Sequence, residues 1–151
     1  MLVAFGKPLR LSADNCLNTL PFLKTLSTLC MKNFKELKIW QKGFQIAKNC
    51  FAITQNFPQQ EKYGLASQIN RAAVSIASNI AEGSGRSSAN DYKRFVEIAL
   101  GSCFEVETQL LLSRELSFGE EELINKTLDL LVEEEKMLVA FGKTLKLSAN
   151  S

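Results

Sequence analysis

Residues 65–86 read LASQINRAAVSIASNIAEGSGR. Leu65, Ile69, Ala72, Ile76 and Ile80 recur at steps of four and three, the spacing that lines one face of an α-helix, with Ala73, Ala77 and Ala81 beside them. Side chains this small let two helix backbones approach closely, so the alanine stripe reads as a packing surface. The helix is expected to begin between Pro58 and Gly64 and to stop at Gly83-Ser84-Gly85, where glycines can take positive φ and cap it.

The same period continues on both sides. Upstream, Ile39, Gly43, Ile46, Cys50, Ile53 and Phe57 form one stripe, and Leu37, Trp40, Phe44, Ala47 and Phe51 form a second one adjoining it. Together they make an apolar face wider than a monomeric bundle requires. Asn33 with Glu36 forms an N-terminal capping pair for this first helix, and Pro58 ends it. Downstream, Ser88 with Asp91 opens a third helix carrying Tyr92, Val96, Ala99, Cys103, Val106 and Leu110. A Ser117–Glu120 capping box is expected to start a fourth, running through Leu123, Ile124, Leu128, Leu131, Leu138 and Phe141 to about Leu147. No proline follows Pro58. The fold expected is therefore all-α, an antiparallel up-down four-helix bundle over residues 31–147, with 148–151 as a tail.

Residues 1–30 read as an N-terminal extension outside the core. Residues 1–14, MLVAFGKPLRLSAD, match residues 137–150, MLVAFGKTLKLSAN, at eleven of fourteen positions. One reading is a genomic echo, in which an upstream tandem copy contributes its last codons and spacer leads in frame to Met31. The other is a functional duplicate of the last helix that docks where residues 137–147 dock. The N-terminus of the native protein, read by mass spectrometry, separates them.

Composition excludes several functions. Histidine is absent, so no imidazole base exists, and no carboxylate pair stands clear of helical charge patterning. The expectation is a non-enzyme. Cys16, Cys30, Cys50 and Cys103 lie far apart, without the C-x-x-C pairs of a zinc or redox site, so no metal and no cofactor are expected. Free thiols, and the lack of a signal peptide or a membrane-spanning run, fit the cytoplasm. The net charge of +2 conceals an asymmetry: residues 32–94 hold ten Lys/Arg and four acids, whereas residues from 95 onward hold five and eleven. Such a division marks either a nucleic-acid surface or basic helices paired with acidic ones.

The candidate site residues follow from that division. Lys35, Lys38, Lys42, Arg71, Arg86, Lys93 and Arg94 are the nucleic-acid candidates, since Lys and Arg release condensed counterions on neutralising phosphates. Asn79, Glu82 and Arg86 flank the Gly-rich turn, where they either converge on a phosphate or tie helix ends or subunits together. The turn Gly83-Ser84-Gly85-Arg86-Ser87-Ser88 lacks the spacing of a Walker loop. Trp40 and Phe44 read as core or interface rings by their period. Glu133–Glu135 is expected to include one inward residue, a ring-interface partner for a basic side chain.

FKELKIW at 34–40, Phe57-Pro58, EKYGL at 61–65, SQINRAAVSIASNIAEGSGR at 67–86, FVEIALGS at 95–102 and EVETQL at 105–110 carry a resemblance to a bacterial family. The chain resembles the four-helix-bundle proteins encoded in intervening sequences of 23S rRNA genes, the S23 ribosomal proteins. That resemblance implies a ring-shaped homopentamer, and so a partner that is first of all the chain itself. It extends to the accessory variability protein of diversity-generating retroelements, implying structured RNA or DNA and a reverse transcriptase or other element-encoded enzyme as further partners. Relatives commonly carry proline where this chain has Ala77, so any kink in the second helix is expected to be weaker here.

Overall fold

A computed structural model describes residues 33–149, so both readings of residues 1–30, and Cys16 and Cys30, lie outside the described residues. The chain order is a 3-10 turn at Phe34–Glu36, α1 at Lys38–Thr54, a second 3-10 turn at Gln59–Glu61, α2 at Leu65–Ser84, α3 at Ala89–Glu115 and α4 at Glu121–Ala149. Each helix packs on the two beside it, α1 closing against α4, and among the described residues the backbones of the diagonal pairs stay further apart. The bundle is antiparallel. The Tyr92 ring at the start of α3 meets Phe141 late in α4 edge-on at 5.3 Å, and Phe57 after α1 meets Phe118 before α4 at 5.7 Å.

The predicted stripes are the core. Ile46, Ile53, Ile69, Ile76, Ile80, Val106, Leu110 and Leu131 are wholly buried, and Val96, Ile124 and Leu138 nearly so. Each such side chain stabilises the fold by roughly 1.5–3 kcal/mol through removal from water. The small residues set the helix spacing. A Cβ on Gly43 of α1 would lie 2.9 Å from Cγ2 of Ile76 and 3.5 Å from the backbone nitrogen of Ala77, so α1 and α2 approach to a distance that only glycine permits. With alanine at 77, α2 runs unbroken from Leu65 to Ser84.

Four local expectations are corrected. Asn33 and Glu36 do not cap α1: the Asn33 side chain accepts from the Lys35 amide and donates to Glu36, closing the separate 3-10 turn before Leu37. α2 begins at Leu65, just after the expected range, where the Glu61 carboxylate accepts from the Leu65 amide. Its last turn ends in right-handed geometry at Gly85, with φ −85°, so positive φ is not what the glycines supply. Gly83 serves packing instead, because a Cβ there would meet Cδ2 of Tyr92 at 2.6 Å and Cβ of Phe95 at 2.9 Å.

Ser117 is likewise no N-cap. It takes φ +57° after the end of α3, its amide bonds the Arg114 carbonyl, and the Phe118 amide bonds the Ser113 carbonyl at 2.8 Å. That is the Schellman arrangement closing α3, with α4 starting later at Glu121 and reaching Ala149. Ser88, by contrast, caps α3 as expected, accepting from the Asp91 amide at 3.0 Å.

Candidate functional site

The up-down topology collects cations at one end of the bundle. The start of α1, the α2–α3 turn, the start of α3 and the last turns of α4 all lie there, bringing together Lys35, Lys38, Arg86, Lys93 and Arg94, with Lys42 one turn further along α1. Lys143 and Lys146 of α4 join them, two residues the sequence reading did not single out because they sit in an otherwise acidic half of the chain. Arg71 is placed elsewhere. Its neighbour Asn70 hydrogen-bonds Thr54 at the far end of α1, some 16 residues or about 24 Å of helix from Lys38.

The acids at the basic end are largely engaged. Glu82 pairs with Arg86 and Glu97 with Lys93, both one turn apart on their own segment, Asp91 accepts from Ser88, and Glu36 accepts from Asn33. Lys35, Lys38, Arg94, Lys143 and Lys146 form no ion pair among the described residues. Arg86 also sits over the Phe95 ring, with its guanidinium carbon 4.5 Å from the centroid, which holds it near the turn.

The turn cluster does not converge. Asn79 donates to the carbonyl and hydroxyl of Ser75, one turn back in α2, at 2.8 and 2.9 Å, while Glu82 and Arg86 hold each other. The three residues tie α2 and its turn to themselves. Ser102 of α3 donates to the same Ser75 hydroxyl at 3.0 Å, so this network also joins α2 to α3.

The interior holds a second polar feature. Within Glu133–Glu135 the inward residue is Glu134, wholly buried, with neither carboxylate oxygen hydrogen-bonded. Burial pushes its carboxyl up to about 8, against a smaller opposing pull from Lys42. Lys42 itself pairs with the exposed Glu133 beside it, and that pairing lowers the Glu133 carboxyl. Glu135 is raised by partial burial and by the nearby Glu107. Asn49 of α1 donates to Thr127 of α4 at 3.2 Å and accepts from Gln45, a buried link between helices. A signal for it existed in the sequence: Ile124, Thr127, Leu131, Glu134, Leu138 step by three and four, placing two polar residues in the core seam of α4.

Neither described cysteine is a nucleophile. Cys50 and Cys103 are buried free thiols; burial alone lifts Cys50 to about 12, and burial with the carboxylates of Glu134, Glu135 and Glu107 raises Cys103 further. No group of three or more Cys, Asp or Glu among the described residues is arranged to hold a metal ion.

An apolar surface on α1 and α2 remains uncovered. Trp40, Phe44, Ala47 and Phe51 of α1 and Val74, Ala77, Ser78 and Ala81 of α2 line a groove of about 600 Å³ with Lys48 at its margin. Trp40 and Phe44 stack at 5.1 Å, and Phe44 and Phe51 are about half exposed. This is the second stripe of α1.

The family model of the 23S rRNA-intervening sequence protein matches residues 35–140, which take in most of the bundle, including the Gly-rich α2–α3 turn. The chain belongs to that family. A crystal structure of a protein with unknown function from the S23 ribosomal protein family of Bacteroides thetaiotaomicron is similar to it in fold, with a TM-score of 0.63, 24% identity, and coverage of 70% of this chain and 98% of that one. No curated protein sequence matches the chain. The family match takes in six of the seven expected cations at one end, Arg71 at the other, and Glu134, whereas Lys143 and Lys146 lie beyond it. No helix among the described residues of this intervening-sequence protein is long and apolar enough to cross a membrane.

Proposed function

We propose that this 23S rRNA-intervening sequence protein is a non-enzymatic, self-assembling accessory protein, a ring-shaped homopentamer that holds structured RNA or DNA at its basic end. The observation that carries the reading is the set of cations without ion pairs, Lys35, Lys38, Arg94, Lys143 and Lys146, gathered by four different segments onto one end. Intrachain pairing does not use up the charge asymmetry, because only Lys42–Glu133 among the described ion pairs joins two helices. A ring repeats that end once per protomer, and multivalency turns weak phosphate contacts into useful affinity.

A mobility-shift titration with structured RNA and with duplex DNA over a salt series tests this. Binding that weakens steeply with salt is the expected result, and Lys35→Glu combined with Lys38→Glu should weaken it further while leaving the assembly intact. Absence of binding at low salt overturns the nucleic-acid part. The uncovered groove between α1 and α2 favours a second reading, a protein-interaction scaffold whose charges serve assembly alone. That reading gains if the protein assembles but binds neither polymer.

A further inference from the structure

The groove between α1 and α2 has a shape that calls for a helix. Its walls are the aromatic ridge Trp40, Phe44 and Phe51 and the side chain of Val74, and its floor is Ala47, Ala77, Ser78 and Ala81, small enough for another helix to settle close to the backbone. Its margins carry Lys48 and, on the α2 side one turn before Val74, the exposed Arg71, neither in an ion pair.

A matching helix face exists on α3 of the same chain. Gly101 lies in the middle of this 27-residue helix, is exposed, and has nothing within 4 Å of where a Cβ would stand. Glycine inside a helix is less favourable than alanine, and at Gly101 no contact within the protomer requires it. Close approach of a second backbone would require it. The residues three and four positions along the same face are Ile98, Phe104 and, further on, Leu111 and Leu112, each exposed by 38% or more. Exposed acids border this stripe at Glu97, Glu105 and Glu115, of which Glu97 is already paired with Lys93, and the exposed cation Arg94 stands one turn before Ile98.

We infer that the α1–α2 groove of one protomer receives the Gly101-centred stripe of α3 from a second copy of this chain. Charge decides the pairing. Groove on groove would set Lys48 and Arg71 against their own copies, and stripe on stripe would do the same with the unpaired acids Glu105 and Glu115, whereas groove on stripe joins the cationic margins to those acids. The contact uses a different patch on each partner, so it is head-to-tail, the kind that closes into a ring. It rests on the self-assembly reading above and specifies the surfaces that assembly uses. It also removes Arg71 from the nucleic-acid candidates and assigns it to the interface.

Sedimentation velocity of the purified full chain and two variants tests the pairing. Phe44→Asp with Phe51→Asp damages the groove at half-exposed positions, and Gly101→Arg blocks the stripe where space is open and helix propensity improves, so both variants should fold. Each is expected to weaken self-association by roughly 100-fold or more. Mixed in equal amounts, the two variants have one intact interface between them and should form a one-to-one heterodimer. If the native chain assembles but the mixture stays monomeric, or if either variant assembles normally, the assignment of faces is overturned. A native chain that is monomeric at high concentration overturns the self-assembly reading itself.

Discussion

Lys42 of α1 ion-pairs with Glu133 of α4 and leaves Glu134, the next residue, buried with no hydrogen-bond partner. The lysine stays near solvent with the exposed carboxylate, because bringing both charges inside would cost several kcal/mol per ion in desolvation. Glu134 therefore has only protonation to relieve its burial.

Stability should depend on pH through Glu134. Its folded-state value of about 8 stands above the ordinary 4.5, so its contribution is full below about pH 4.5 and is lost as pH rises toward 8. Lys42 from α1 opposes the shift and Cys103 from α3 lies near enough to feel the charge, while Glu107 and Glu135 add a second raised carboxyl whose effect has the same sign. Urea unfolding between pH 5.5 and 8.5 should show native stability falling, and Glu134→Gln should flatten that fall and be more stable by about 2–4 kcal/mol at pH 8.5. An unchanged slope in the glutamine variant refutes the assignment.

Ser117→Gly should stabilise the protein. A non-glycine residue in left-handed geometry costs about 1–2 kcal/mol, partly offset by the greater freedom of glycine in the unfolded chain, leaving a gain of about 0.5–1 kcal/mol. Thermal unfolding of the pair of proteins measures it, and a loss of stability would show that the Ser117 hydroxyl has a role of its own.

Gly83→Ala should do the reverse. A Cβ at 2.6 Å from the Tyr92 ring and 2.9 Å from Phe95 cannot be accommodated without moving α3, at a cost of about 1–3 kcal/mol despite alanine's better helix propensity. Chemical denaturation checks this, and near-native stability would mean that the α2–α3 junction yields freely.

Cys50 and Cys103 should resist alkylation in the native state at pH 8 and react only on unfolding, since both are wholly buried and their thiols are raised. Peptide mapping after iodoacetamide treatment reads each site separately. Rapid native labelling of either would indicate local opening of the core.

The candidate surfaces were partly legible before folding. The inward glutamate announced itself as one of three consecutive acids on a helix whose seam steps by three and four, but which one faces in depends on helix phase, and phase is fixed by the packing of α4 on α1 and α3. The Ser117–Glu120 spacing imitates a capping box because both ends of a helix–helix turn favour the same small polar residues. Gly83 and Gly85 look alike in sequence, yet one faces Tyr92 and the other is exposed.

The sequence alone determined that the chain makes four amphipathic helices, where their buried stripes run, and that α1 carries more apolar surface than one bundle can cover. Those properties are local, set by a 3.6-residue period and by proline and glycine placement. Only the tertiary structure decided that Lys38, Arg94 and Lys146 share an end, that Arg71 lies apart from them, and that Phe44 and Phe51 stay half exposed beside a floor of alanines. Which exposed residues meet depends on antiparallel topology and helix register, and these arise from contacts between segments far apart in the chain.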